Sequence, residues 1–267
     1  MKPNASHDRH QAQQDGNVAA SFPSWNAVMF PWTLILLSWM LLGIAFLTQR
    51  NVLIDHDYLL RTSHLPWIVA LLVFLLCWQV MTMAMMVPSS LSRLMILYES
   101  RECGFRAQAI FILGYATVWT GFALLAFLGD TLVHQVVRQW WWLYFHSQLI
   151  GVLTLALAGV CQWSPLKWRC LQRCIAFTSA QACMSLQEAS SSSWQQGLRY
   201  GTWCLGSSWA LMLVMFGIGM RSLLVMALLT AVMFLEREVL KGKWLRFAIG
   251  SAFLLLALLW YLFPFSG

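Results

Sequence analysis

Long apolar runs broken by short polar stretches set the pattern of this chain. Six stretches free of Asp, Glu, Lys and Arg stand out: Gly16 to Gln49 (apolar from Val28), Thr62 to Ser92 (from Leu65), Ala107 to Gly129, Gln139 to Leu166, Tyr200 to Met220 and Phe247 to Gly267. Each exceeds the roughly 20 residues that a helix needs to cross a hydrocarbon core of about 30 Å. A seventh, Ser222 to Leu235, has 14 residues. At about 1.5 Å per residue it covers roughly 21 Å and needs help from its flanks.

The basic residues decide how these stretches alternate. If all seven cross, 13 Lys and Arg lie on the N-terminal side, and 4 lie opposite, namely Arg50, Arg61, Arg138 and Arg221. If Ser222 to Leu235 does not cross, the split becomes 9 against 8. Cytoplasmic loops carry the excess of basic residues, so the asymmetric solution is preferred. The sequence therefore predicts an all-α, polytopic transmembrane bundle of about seven spans with a cytoplasmic N-terminus. Residues 1–24 read as a disordered cytoplasmic tail, and residues 25–267 as the helical domain, with a cytoplasmic loop at 162–199. The first 20 residues are polar and the first apolar run is of full spanning length, so no cleavable signal peptide is expected. Trp32, Trp67, the cluster Trp140, Trp141, Trp142 and Tyr144, and Trp163, Trp168, Trp244 and Trp260 fall near span ends, where amphipathic rings anchor helices.

Composition sharpens this picture. Charged residues make up 10% of the 267 residues and apolar ones 60%, with a mean hydropathy of +0.65. A soluble domain carries about 25% charge, so lipid must cover much of this surface. The net charge of +7 then reads as a set of loop markers and not as a nucleic-acid footprint. The predicted span interiors contain no Asp, Glu, Lys, Arg or His; His146 and Glu236 lie at their ends. An HExxH motif, a Walker loop, a GxSxG elbow and paired carboxylates are absent from the sequence. Hydrolytic, ATP-driven and proton-driven mechanisms are disfavoured, and the chain is expected not to be an enzyme.

What the chain has is sulfur, with 14 Met and 7 Cys. Thioether and thiolate donors select soft ions, Cu(I) above all. The first concentration is MTMAMMVPS, Met81 to Ser89. On a helix Met81 and Met85 lie about 40° apart with Met86 beside them, while Met83 points away. By itself such a stripe is more often packing or lipid contact than a metal site. The second is QWSPLKWRCLQRC, where Pro165 suits a helix start and Cys170 and Cys174 stand at i and i+4, about 5–6 Å apart. Lys167, Arg169 and Arg173 would favour their thiolate forms. The same residues also suit an interfacial helix whose cations meet lipid phosphates. The third is GLRYGTWCLGSSWALMLVMF, in which Cys204, Ser208, Leu211 and Met215 share a face with Met212 beside it. Gly197 with Gly201, and Gly206 with Ala210, form small-xxx-small pairs that permit close helix contact. An odd number of cysteines spread over spans and inner loops does not describe a disulfide framework. His7 and His10 in the tail, and Asp55, His56, Asp57 and His64 in a polar loop, are read as solvation. Cys183 and Met184 precede a flexible Ser190 to Ser193 joint.

These three segments, in this order, resemble the bacterial integral membrane proteins described as predicted metal-binding and known as domain of unknown function 2182. The matching residues are Trp78, Met81, Ala84, Met85, Met86 and Pro88; then Gln162, Pro165, Leu166, Lys167, Cys170, Leu171 and Cys174; then Gly197, Leu198, Gly201, Cys204, Gly206, Trp209, Leu211 and Met212; and finally Leu235 and Glu236. The resemblance spans Trp78 to Glu236. The chain departs from the pattern at four places: Tyr200 stands where the family has His, Ser207 and Ser208 where it has a Cys pair, and Arg237 where it has Lys.

The resemblance implies a multispanning metal-handling protein of the bacterial inner membrane, some of whose relatives look like copper chaperones. Together with the sulfur pattern it predicts Met81, Met85, Met86, Cys170, Cys174 and Cys204 as ligands of Cu(I). Met83, Gln162, Lys167, Ser208, Met212 and Glu236 are expected to support them. The expected partners are the lipid bilayer and a copper-dependent enzyme or copper carrier, with no nucleic acid. Two other readings stay open: a permease for a small uncharged solute or lipid, and a non-catalytic assembly or scaffold subunit, which the lost ligands favour.

Overall fold

The computed structural model describes residues 25–48, 66–99, 104–139, 148–183, 193–218, 222–239 and 243–263. The tail with His7 and His10, the loop with Asp55, His56, Asp57 and His64, the cluster Trp140 to Trp142 with Tyr144 and His146, and Met184 with Ser190 to Ser192 lie outside the described residues. Among the described residues every regular element is helical: α1 (Trp25–Leu47), α2 (Trp67–Met86), a 3-10 turn (Pro88–Ser90), α3 (Leu91–Glu99), α4 (Gly104–Gln139), α5 (Gln148–Trp163), α6 (Pro165–Cys183), α7 (Ser193–Ile218), α8 (Leu223–Phe234), a π-helical turn (Leu235–Val239) and α9 (Lys243–Leu262). Each of the seven apolar stretches contains a helix. Three helical stretches, Ala27–Leu47, Ile68–Met86 and Gly104–Gly129, are long and apolar enough to cross a membrane, and a fourth arises if α5 and α6 count as one bent span. Large apolar side chains such as Leu37, Met40, Leu76, Leu125, Leu153 and Leu224 lie exposed on the outside, a surface suited to lipid.

Prolines punctuate the path. Pro88 lacks the N–H that would bond the carbonyl of Ala84, and α2 ends just before it. The indole Nε1 of Trp39 on α1 donates to that carbonyl at 3.1 Å, so the break in α2 becomes a tie between two helices. Ser89 and Ser90 donate to the carbonyls of Met86 and Val87 at 2.8 and 3.0 Å, closing the turn. Pro165 opens α6 after Ser164, and α5 and α6 meet there at 64°. Within the connection 162–199, α6 starts at Pro165, the position expected for a helix start.

Glycines bring the helices together. A Cβ on Gly197 of α7 would lie 2.2 Å from the carbonyl oxygen of Phe111 on α4, and one on Gly114 would lie 2.6 Å from that of Trp194. The backbones thus touch along the α4–α7 seam, as the small-residue spacing around Gly197 and Gly201 predicts. Gly159 of α5 and Gly250 of α9 make a second close seam, a Cβ on Gly159 lying 3.0 Å from the carbonyl of Gly250. The core between α2, α4 and α7 is built from Phe74, Trp78, Met81, Met85, Met86, Phe111, Tyr115, Trp119, Cys204, Met212 and Met215.

Candidate metal centre

The three sulfur-bearing segments all contribute buried side chains, and they meet where Cys174 of α6 neighbours Cys204 of α7 and Met86 of α2 reaches Ser208 of α7. Met81, Met85 and Met86 from the end of α2, Cys174 from α6, and Cys204 and Met212 from α7 are all buried. Cys170, half-buried, packs its sulfur against Gly206 of α7, 2.7 Å from where a Cβ would stand. Met83 is half-buried and packs on the edge of the core. The face of α7 read from spacing is fully internal, with Cys204, Ser208, Leu211, Met212 and Met215 all buried. Cys77, Cys161, Cys170, Cys174 and Cys204 carry no disulfide.

Cys204 is the node of a polar network. Its Sγ lies 2.9 Å from a guanidinium nitrogen of Arg237 and 3.0 Å from the hydroxyl of Tyr115. Arg237 also donates to Ser89 Oγ at 2.9 Å and to Ser207 Oγ at 3.2 Å. Ser208 donates to the Cys204 carbonyl at 2.7 Å and stands 4.0 Å from the sulfur of Met86. The Tyr200 hydroxyl reaches the Ser89 carbonyl at 3.4 Å. Tyr200, Ser207, Ser208 and Arg237, the four positions that depart from the resembled pattern, thus all border this node. Burial works against the Arg237 charge, but Cys204, with Tyr200, Cys174 and Tyr115 around it, holds its pKa well above the usual arginine value.

Arg237 was missed as a site residue. The sequence assigns it to a basic loop cluster, as it does Arg93 and Lys167, yet all three are buried. Arg93 donates to Gln196 on α7 at 2.7 Å. The usable signal was LERE directly after a 12-residue apolar helix: charges set at the end of so short an apolar helix have little room to reach water.

Gln162, Lys167 and Glu236 form a second cluster. Lys167 Nζ pairs with Glu236 at 2.8 Å, and the Gln162 amide bridges them, donating to Glu236 and accepting from Lys167. Lys167 is therefore committed to a carboxylate, and Arg169 and Arg173 are exposed. The expectation that these three cations favour the thiolates is corrected for Cys174: burial pushes its thiol up to about 12, and the cation that opposes this is Arg237.

The donor set fits a soft ion in kind, since it consists of buried thiol and thioether sulfurs. Among the described residues no three His, Cys, Asp or Glu side chains stand close enough to share one metal. Thioethers would have to complete any coordination shell.

A family model described as PpoB2, copper chaperone, matches residues 75–260, more than two thirds of the chain. No curated protein and no solved structure matches.

Proposed function

Since the chain belongs to the PpoB2 copper chaperone family, we propose that it binds Cu(I) in the bacterial inner membrane and delivers it to a copper-dependent enzyme or copper carrier. In this reading the chain crosses the membrane about seven times with its N-terminus in the cytoplasm. The ion is held by sulfur from among Met81, Met85, Met86, Cys170, Cys174 and Cys204. It moves on by ligand exchange, so the protein performs no bond-making catalysis of its own.

The observation that carries this reading is the junction of Cys204, Arg237 and Met86. A guanidinium is not deprotonated in proteins. Placed 2.9 Å from Cys204 Sγ, it sets a fixed positive charge beside the sulfur that would take the ion. Ser89 and Ser207 keep Arg237 hydrogen-bonded when the sulfur is taken by the ion. Met86 borders the same node through Ser208 and supplies a neutral thioether. A thiolate with one or two thioethers suits Cu(I) and leaves the shell open to an attacking ligand.

Competition with a chromophoric Cu(I) chelator tests the reading on the purified full chain. Cys204→Ser and the double variant Cys170→Ser/Cys174→Ser are expected to bind Cu(I) more weakly by about tenfold or more, as loss of a first ligand exceeds the 10- to 100-fold cost of losing a supporting one. Affinity and stoichiometry unchanged in both variants would overturn the assignment. Net copper-independent solute uptake into proteoliposomes would favour a permease, and a stable partner co-purifying without metal would favour a scaffold.

A further inference from the structure

Among the described residues no carboxylate answers the buried charge of Arg237. Its partners are the hydroxyls of Ser89 and Ser207 and the sulfur of Cys204, at 2.9, 3.2 and 2.9 Å. Glu236, its neighbour in the chain, is held instead by Lys167 at 2.8 Å and by the Gln162 amide. The guanidinium is not free to swing away from the sulfur. Ser89 Oγ donates to the carbonyl of Met86 and Ser207 Oγ donates to that of Cys204, both at 2.8 Å, so each hydroxyl turns a lone pair to Arg237. Arg237 is thereby clamped to the two segments that carry Met86 and Cys204. Its charge is permanent, because a guanidinium keeps its proton in proteins.

We propose that Arg237 is the charge filter of the site: its guanidinium, fixed beside Cys204, restricts the sulfur donors to monovalent soft ions and turns away divalent ones that the same donors would accept. This rests on the Cu(I) reading above and adds what the site selects against. A metal–thiolate bond of about 2.3 Å puts an ion on Cys204 no farther than about 5 Å from the guanidinium nitrogen, whatever the direction of that bond. Repulsion at that distance grows in proportion to the charge of the ion, so a divalent ion meets twice what Cu(I) meets. At an effective dielectric constant of about 20, the second unit of charge corresponds to an affinity loss of about a hundredfold or more. Met81, Met85 and Met86 cannot cancel that field, since thioethers are neutral. Soft donors by themselves do not make the distinction, because thiolate sites hold Zn(II) as well as Cu(I).

Competition with chromophoric chelators on the purified full chain measures its affinities for Cu(I) and Cd(II), two soft ions with the same closed d10 shell. Arg237→Gln and Arg237→Met remove the charge, while Ser89 and Ser207 keep their carbonyl partners. Neither variant orphans a carboxylate, so the fold is spared the cost of losing half of a buried ion pair. Each is expected to narrow the preference for Cu(I) over Cd(II) by about a hundredfold. Arg237→Lys, which restores a cation, is expected to retain most of the wild-type preference. Whatever else Arg237 does for the sulfurs acts on both ions and cancels in the ratio. A further measurement needs no variant: the wild-type preference should exceed that of a small thiol–thioether chelator by about the same factor. Three outcomes would overturn the filter and leave the Cu(I) reading intact: an unchanged ratio in Arg237→Gln and Arg237→Met, a Lys variant as permissive as those two, or a wild-type preference equal to the chelator's. A wild-type chain that takes up no Cu(I) would overturn both readings.

Discussion

Helix α1 and the end of α2 are alike in composition and opposite in fate. Both are almost wholly apolar, and both carry methionine. On α1, Met29 and Met40 are 58% and 63% exposed, whereas Met81, Met85 and Met86 on α2 are at most 1% exposed. Neighbours account for the difference. The outward face of α1 meets nothing in the protein, and even Gly43 has open space where its side chain would be. The end of α2 belongs to a helix packed against α1, α4 and α8, and Met86 stands 4.0 Å from the Ser208 hydroxyl of α7. A methionine facing lipid is a greasy surface, and one against Ser208, which is hydrogen-bonded to the Cys204 carbonyl, is a candidate ligand.

Three pairs of substitutions would break or sharpen this contrast, each read by the chain's resistance to denaturation in detergent. The largest effect is expected at the site's edge. Lys167→Met leaves Glu236 buried without its cation and should cost about 3–5 kcal/mol, while Lys167→Met combined with Glu236→Leu should recover most of the loss. Next, Met85→Ala should cost about 2–5 kcal/mol by opening a cavity, whereas Met40→Ala on the exposed face of α1 should stay within about 0.5 kcal/mol. Equal costs would show that α1 is covered like α2. The smallest pair concerns backbone contact. Gly197→Ala drives a methyl into the Phe111 carbonyl and should cost about 1–3 kcal/mol. Gly43→Ala meets nothing and should stabilise by about 0.5–1 kcal/mol through helix propensity.

Much of this arrangement was legible along the chain. Pro165 marked a helix start because proline suits the first helical turn, where its missing donor costs nothing. The 4-3-4 spacing of Cys204, Ser208, Leu211 and Met215 marked a buried face, and Gly197 marked a close seam. The buried cations were not legible, because a run of Lys and Arg near a span end has the same pattern whether its members are solvated or folded inward. Arg237 becomes a site residue only because the π-helical turn at Leu235–Val239 places it against α7, 33 positions away in sequence from Cys204.

Local physics determined which segments are helices, where proline and serine interrupt them, and that sulfur recurs on particular faces, since these depend on residues within a few turns of one another. The assembly of Cys170, Cys174, Cys204 and Met86 beside Arg237, and the Lys167–Glu236 pair, depended on which helices become neighbours. Tertiary structure alone decides that, because backbone approach at glycine and compensation of buried charge are satisfied only between segments far apart in the chain.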